Sequence, residues 1–208
     1  MQIERIFYPL ETLGYGKRIG IWTIGCPHAC FNCSNPELWK ENKKKDLPLP
    51  YIFQMLQSIE VPIDGVTITG GEPFQQVSDL RELIYFIKTN ITEDILVYSG
   101  YTMDQLHKIN NPDIHFILNN IAVLIDGKYI EELNDNSPLK GSSNQIIHIL
   151  NHQYKDRYEQ LLKENRKVQT VVVQNDLIAF GIPLKHTKKT IRNELPNYGI
   201  HTGKSLRK

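Results

Sequence analysis

Four short apolar runs, each ending at a glycine-bearing polar turn, set the tightest limit on how this chain can fold. They are residues 18–24 before Gly25, residues 65–69 before Gly70 and Gly71, residues 95–98 before Ser99 and Gly100, and residues 122–125 before Asp126 and Gly127. Runs this short, rich in Ile, Val and Thr, read as strands. Between them lie segments with helical periodicity. Pro48 and Pro50 open one that carries Ile52, Phe53, Leu56 and Ile59. Residues 77–88 place Leu80, Leu83, Ile84 and Ile87 on one face, and Thr102 caps a short helix over residues 103–109. Residues 146–150 read as a fifth strand. Strands alternating with helices imply a parallel sheet with right-handed crossovers. The polar turns then collect at the strand C-termini, where open α/β sheets and barrels place their chemistry.

A full eight-stranded barrel takes about 250 residues, more than the 208 of this chain. The expected fold is therefore α/β, a partial parallel β/α barrel of about five to six strands. Residues 168–174 and 177–181 flank Asn175-Asp176 and read as a C-terminal β-hairpin with Asn-Asp as its turn. The expected division is a core domain over residues 1–150 and an extension over 151–208 of helix, hairpin and basic tail.

With 40% hydrophobic and 23% charged residues the chain is ordinary globular material. A net charge of +1 argues against nucleic-acid binding by the body of the protein. Residues 42–46 are a solvated charge run, and positive charge gathers after Pro183, where Lys185, Lys188, Lys189, Arg192, Lys204, Arg207 and Lys208 face Glu194 alone. That tail is either a dock for an acidic or phosphate-bearing partner or a solvated terminus. No apolar stretch reaches membrane-spanning length, and the first residues lack the pattern of a secretory leader. A cytoplasmic protein is expected.

All three cysteines fall within eight residues, as Cys26, Cys30 and Cys33 in a C-x3-C-x2-C spacing directly after the first of the four runs. An odd count without a leader argues against disulfides. Two metal readings stay open. Three thiolates so spaced can wrap a [4Fe-4S] cluster and leave one iron open to a ligand. Alternatively His28 joins them as the fourth ligand of a zinc ion, although the two-pair spacing of zinc knuckles is missing. After the second run, Gly70 and Gly71 let the backbone approach a ligand closely. Glu72 offers a carboxylate to an ammonium group and Pro73 fixes the exit from the turn. On its own this is also how a tight strand-to-helix turn is written.

Together, the cysteine triad and Gly70-Gly71-Glu72-Pro73 resemble the two signatures of the radical S-adenosylmethionine (SAM) superfamily, in the expected order. The narrower resemblance is to the activating proteins of anaerobic (class III) ribonucleotide reductase and other glycyl radical enzymes. It is carried by Trp22-Thr23-Ile24-Gly25-Cys26-Pro27-His28, Cys33-Ser34-Asn35-Pro36-Glu37-Leu38-Trp39, Tyr98-Ser99-Gly100-Tyr101-Thr102, Leu124-Ile125-Asp126-Gly127 and Gly141-Ser142-Ser143-Asn144-Gln145. It covers roughly residues 1–150.

The resemblance implies that Cys26, Cys30 and Cys33 hold a [4Fe-4S] cluster whose open iron is chelated by SAM. Reductive cleavage of SAM then yields methionine and a 5′-deoxyadenosyl radical that abstracts a hydrogen atom. It implies SAM contacts at Asn32, Ser34, Gly70, Gly71, Glu72, Pro73, Ser99 and Asp126. Ser99 reads equally as a strand-end hydroxyl closing a turn, and Asp126-Gly127-Lys128 as a simple turn. Residues 141–145 are expected to shape the rim facing the substrate. Many superfamily members carry an aromatic residue just before the third cysteine; here Asn32 stands there, with Phe31 one position earlier.

With no further cysteine, no auxiliary cysteine-bound cluster can form, and the electron must come from outside, from a flavodoxin or ferredoxin. The expected partner is a glycyl radical enzyme, the anaerobic ribonucleotide reductase. An open barrel mouth suits such a macromolecular substrate. The C-terminal extension keeps a second reading in play, a stand-alone radical SAM enzyme acting on a peptide or small metabolite. A third is a non-catalytic metal-binding module.

Overall fold

The computed structural model describes residues 1–173, 176–185 and 187. Six strands form one sheet in chain order: β1 (Ile3–Leu10), β2 (Arg18–Thr23), β3 (Gly65–Gly70), β4 (Ile95–Tyr98), β5 (Val123–Asp126) and β6 (Ile146–Ile149). The four strands from β2 to β5 run parallel. Helix α1 (Leu49–Gln57) lies between β2 and β3, and α2 (Val77–Asn90) between β3 and β4. Helices α3 (Met103–Lys108) and α4 (Pro112–Asn120) lie between β4 and β5. These are the crossovers that parallel neighbours require.

The expected five to six parallel strands are thus four, with an antiparallel strand on each edge. The connections explain why. Strand β1 returns directly into β2 across residues 11–17, and a link that short only reverses direction. Residues 127–145 contain no α-helix, only a 3-10 turn at Glu131–Leu133, so β6 comes back antiparallel. Strand β1 was not visible in the sequence because Glu4, Arg5 and Pro9 interrupt its apolar run. Charges and proline are what an edge strand tolerates. Helix α4 is likewise an addition, with Asn111 capping the N–H of Asp113 and Pro112 in its first turn.

Side chains alternate across the parallel strands and bury both faces. Ile19, Ile21, Val66, Ile68, Ile95, Val97 and Leu124 pack beneath the helices, against Ile52 and Leu56 of α1 and Leu80, Leu83, Ile84 and Ile87 of α2. Each such side chain contributes about 1.5–3 kcal/mol by leaving water. The opposite face presents Trp22, Leu96, Val123 and Ile125, covered by the C-terminal segment. There, α5 (Lys155–Leu161) contributes the fully buried Tyr158. A hairpin of β7 (Val168–Val173) and β8 (Asp176–Gly181) contributes Phe180, stacked on Phe7 at 4.0 Å and 5.1 Å from Trp22.

Arg166 fastens the hairpin base by donating to the carbonyls of Ser137, Lys140 and Pro183 and to Asn134 Oδ1. Asp176 pairs with Val173 and is a strand residue rather than half of the turn. Residues 174 and 175, and every tail cation except Lys185, lie outside the described residues.

At the N-terminal end of β2 the Arg18 guanidinium is fully buried. It meets Asp94 Oδ1 at 3.1 Å, the Val66 carbonyl at 2.8 Å and Thr67 Oγ1 at 2.7 Å. Asp94 is completed by Tyr158 Oη at 2.6 Å and Arg157 at 3.2 Å. Gly65 makes room for this: a Cβ there would fall 2.1 Å from Arg18 Nη1. Asp94→Ala leaves Arg18 buried without its counter-charge and should cost about 3–5 kcal/mol in urea unfolding of the apoprotein. Phe180→Ala should speed amide exchange in β7 and leave β3 protected, since it removes only the stacking that seats the hairpin.

Candidate functional site

The polar turns meet at the C-terminal edge of the parallel strands, and the cysteine loop is tied shut there at its neck. The Gly25 N–H donates to the Leu38 carbonyl at 2.8 Å and the Cys26 N–H to that of Trp39 at 2.9 Å. Inside the loop, Cys33 N–H bonds the Cys30 carbonyl at 3.1 Å. Ala29 and Asn32 take left-handed φ of 46° and 53°, which coils the short spacers between the cysteines. All three cysteines are half-buried and no disulfide joins them. The Asn35 N–H donates to the Cys33 sulfur at 3.4 Å, and the backbone N–H groups of His28 and Ala29 near Cys26, and of Tyr129 near Cys30, favour the thiolates. Burial pushes both thiols up, reinforced at Cys26 by the Glu72 charge and opposed at Cys30 by Lys128.

The Gly-Gly-Glu-Pro turn is zipped to that neck. Gly71 N–H donates to the Thr23 carbonyl at 2.8 Å and Glu72 N–H to the Gly25 carbonyl at 2.7 Å. Both glycines are needed for the approach. Gly70 has φ +109° and a Cβ on it would sit 2.4 Å from Thr23 N; one on Gly71 would sit 2.3 Å from the Gly25 carbonyl oxygen. Pro73 then starts a 3-10 turn, Pro73–Gln76, that leads into α2.

Glu72 is completely buried, and four donors fill its carboxylate. Phe74 N–H and Ser99 Oγ reach Oε1, each at 3.0 Å; Gly100 N–H at 2.7 Å and His28 Nε2 at 2.9 Å reach Oε2. With about two lone pairs on each oxygen, four donors satisfy the buried carboxylate. Through these bonds the Glu72 side chain joins the ends of β3 and β4 to the cysteine loop. Ser99 belongs to the same knot, since its hydroxyl also accepts Tyr101 N–H at 3.0 Å.

Asp126 is nearly as buried but accepts only two donors. It accepts Met103 N–H at 2.6 Å and Ile146 N–H at 3.2 Å, and His148 Nε2 lies 3.0 Å away, out of line for a hydrogen bond. Residues 141–145 clamp the turn after β5. Gln145 Nε2 donates to the Gly127 carbonyl at 2.7 Å, while its Oε1 accepts Gly141 N–H at 2.7 Å and Ser142 N–H at 3.2 Å. Asn144 holds the Lys128 carbonyl. Asn32 and Ser34 are exposed on the cysteine loop, either side of Cys33, and Phe31 is 72% exposed beside them.

The donor set fits an iron–sulfur cluster. Among the described residues no group of three His, Cys, Asp or Glu side chains converges as the ligands of one metal ion do. The three ligands of a cubane cluster each take a different iron and need not converge that way. His28, the alternative zinc ligand, has its Nε2 on Glu72. Backbone N–H groups already directed at Cys26 and Cys30 suit sulfurs that carry negative charge.

The sequence missed the His28–Glu72 bond, and with it the role of His28. The only signal was a histidine midway between two cysteines. Thr23 was missed for the same reason: its backbone carbonyl, not its side-chain chemistry, receives the glycine turn.

Known proteins agree with the geometry. Residues 12–148 match the family described as a 4Fe-4S single cluster domain. The chain is 30% identical over 152 residues to the anaerobic ribonucleoside-triphosphate reductase-activating protein of Escherichia coli K12, covering 69% of this chain and 96% of that one. It is 34% identical over 150 residues to the protein of that name from Haemophilus influenzae, covering 68% and 94%. To the pyruvate formate-lyase-activating enzyme of Staphylococcus epidermidis it is 25% identical over 210 residues, covering 93% and 80%.

Ser99→Ala removes one of the four donors to a buried carboxylate. It should destabilise the apoprotein by about 1–3 kcal/mol, measured by urea unfolding, with the far-ultraviolet circular dichroism of the native protein unchanged.

Proposed function

The chain belongs to the 4Fe-4S single-cluster family, among the activating proteins of anaerobic ribonucleoside-triphosphate reductase, and on that premise we propose that Cys26, Cys30 and Cys33 hold its [4Fe-4S] cluster. It is a radical SAM oxidoreductase of the glycyl-radical-activating type, with a [4Fe-4S] cluster and SAM as cofactors. The observation that carries the site assignment is the zipper between the cysteine loop and the Gly-Gly-Glu-Pro turn, which sets ligand loop and cofactor loop side by side. When bound and reduced, the cluster supplies the electron that cleaves the sulfonium C–S bond of SAM, giving methionine and a 5′-deoxyadenosyl radical that takes a hydrogen atom.

The protein's residues position and shield. We assign the SAM site to Gly70, Gly71, Glu72 and Pro73, with Ser99 and Asp126 behind them and Asn32 and Ser34 on the cysteine loop. Glu72, Ser99 and Asp126 also hold the loops through the hydrogen bonds they make. Gly70 and Gly71 act by leaving backbone bare for a close approach. The four parallel strands, with helices on one face, are read as part of a β/α barrel whose core spans residues 1–150, and residues 151–208 as an appended unit.

The hydrogen donor is a glycine of a glycyl radical enzyme, and we propose the anaerobic ribonucleotide reductase as that partner. The electron donor proposed is a flavodoxin or ferredoxin, since all three cysteines are assigned to one cluster. No helix among the described residues is long and apolar enough to cross a membrane. We place the protein in the reducing cytoplasm, where thiols remain available for iron.

A second reading, a radical SAM enzyme acting on a peptide or small metabolite, draws on the extension. About 31% of this chain (100 − 69) lies outside the match that covers 96% of the Escherichia coli protein. The α5–hairpin segment also covers one face of the sheet.

Anaerobic electron paramagnetic resonance separates the two. Reduced, reconstituted protein mixed with SAM and the anaerobic ribonucleotide reductase of the same cell should give a persistent glycyl doublet, absent with Cys30→Ala. Release of 5′-deoxyadenosine without a doublet would favour the second reading.

A further inference from the structure

We propose that His28 is a positioning residue that locks the cluster loop to the SAM-binding turns, so that its loss weakens the coupling between cluster and SAM while cluster assembly survives. The inference rests on the cofactor assignment above. His28 sits between Cys26 and Cys30, yet its side chain is only 6% exposed and is turned away from solvent toward the sheet. A carboxylate only accepts, so the Nε2 that lies 2.9 Å from Glu72 Oε2 is a donor. The same Glu72 oxygen takes the Gly100 N–H at the end of β4. One imidazole thereby connects the loop after β2 with the turns after β3 and β4.

The ring is gripped as well as bonded. Tyr101 meets it edge-on, with centroids 4.6 Å apart at 72°. Gly100 lies flat against it: a Cβ at Gly100 would come within 2.2 Å of His28 Cδ2 and 2.6 Å of Nε2. The backbone N–H of His28 lies near the Cys26 sulfur and favours negative charge there. Side-chain anchor and backbone dipole therefore move together. A loop released at His28 shifts both the distance from the cluster to the SAM turn and the N–H dipole that favours the reduced cluster.

This role differs from that of a cluster ligand, whose loss removes iron. It also differs from that of a packing residue, for which any ring would serve. Phe replaces the ring without the donor. Gln restores an N–H donor near the position of Nε2. Gly100→Ala keeps every side chain of the site and presses a methyl group against the imidazole.

The experiment is a SAM titration of the reduced, reconstituted proteins, followed by the change in the cluster's electron paramagnetic resonance spectrum, together with a midpoint potential for each. Wild type should respond to SAM; an unchanged wild-type spectrum would overturn the function proposed above and this inference with it. His28→Phe should bind wild-type amounts of iron and sulfide but need at least about tenfold more SAM for half the spectral change, at a lower midpoint potential. His28→Gln should restore both values, and Gly100→Ala should reproduce the Phe phenotype.

Wild-type SAM response and potential in His28→Phe would overturn the proposal. So would a His28→Gln protein as impaired as His28→Phe, which would reduce His28 to packing. A His28→Phe protein that binds no iron, beside a Gly100→Ala protein that behaves as wild type, would overturn it as well.

Discussion

Four donors converge on the carboxylate of Glu72, and the ends of three consecutive loops hang from it. A charged group with no exposed surface is tolerable only when every lone pair is occupied, because an unmatched buried charge is destabilising by several kcal/mol. That requirement makes the knot all-or-none. His28 must lie over Gly100, Ser99 must point at Oε1, and Phe74 N–H must be free of helical partners at the start of its turn. The cysteine loop takes its placement from these conditions together with the backbone bonds at its neck.

A second buried carboxylate does similar work at the opposite end of the sheet. Asp94 gathers Arg18, Tyr158 and Arg157, and so links β2, β4 and α5. One acidic residue thus organises each end of the parallel strands, one beneath the chemistry and one far from it. The segment that brings Tyr158 also brings the hairpin, and Phe180 closes the face that carries Trp22. Trp22 lies four residues before Cys26, so the C-terminal extension reaches the wall next to the cluster loop.

Much of the site was legible because its chemistry demands particular residue types at fixed local spacing. Three thiols within eight residues, and two glycines before an acid and a proline, announce themselves without a fold. The parallel strands were legible for a related reason: both faces are buried, so each reads as a short apolar run. Edge strands escape that logic. β1 keeps Glu4, Arg5 and Pro9 because one of its edges pairs with nothing in the sheet, and the direction of β6 depends on its connection, not its composition. The loop-joining role of Glu72 was hidden for a similar reason. Its four donors come from positions 28, 74, 99 and 100, which only the fold brings together.

The sequence by itself determined the thiol triad, the strand–helix alternation and the family resemblance, since each is written in residues close together along the chain. Tertiary structure alone decided which side chains are available to a cofactor and which are already engaged in holding the loops. It decided this because hydrogen-bond saturation depends on donors drawn from distant segments. His28 and Glu72 are 44 residues apart in the chain, and no local pattern records that they meet. The same holds for the hairpin: its strands are visible in the sequence, but its seat against Phe7 and Trp22 exists only once the sheet has two faces to cover.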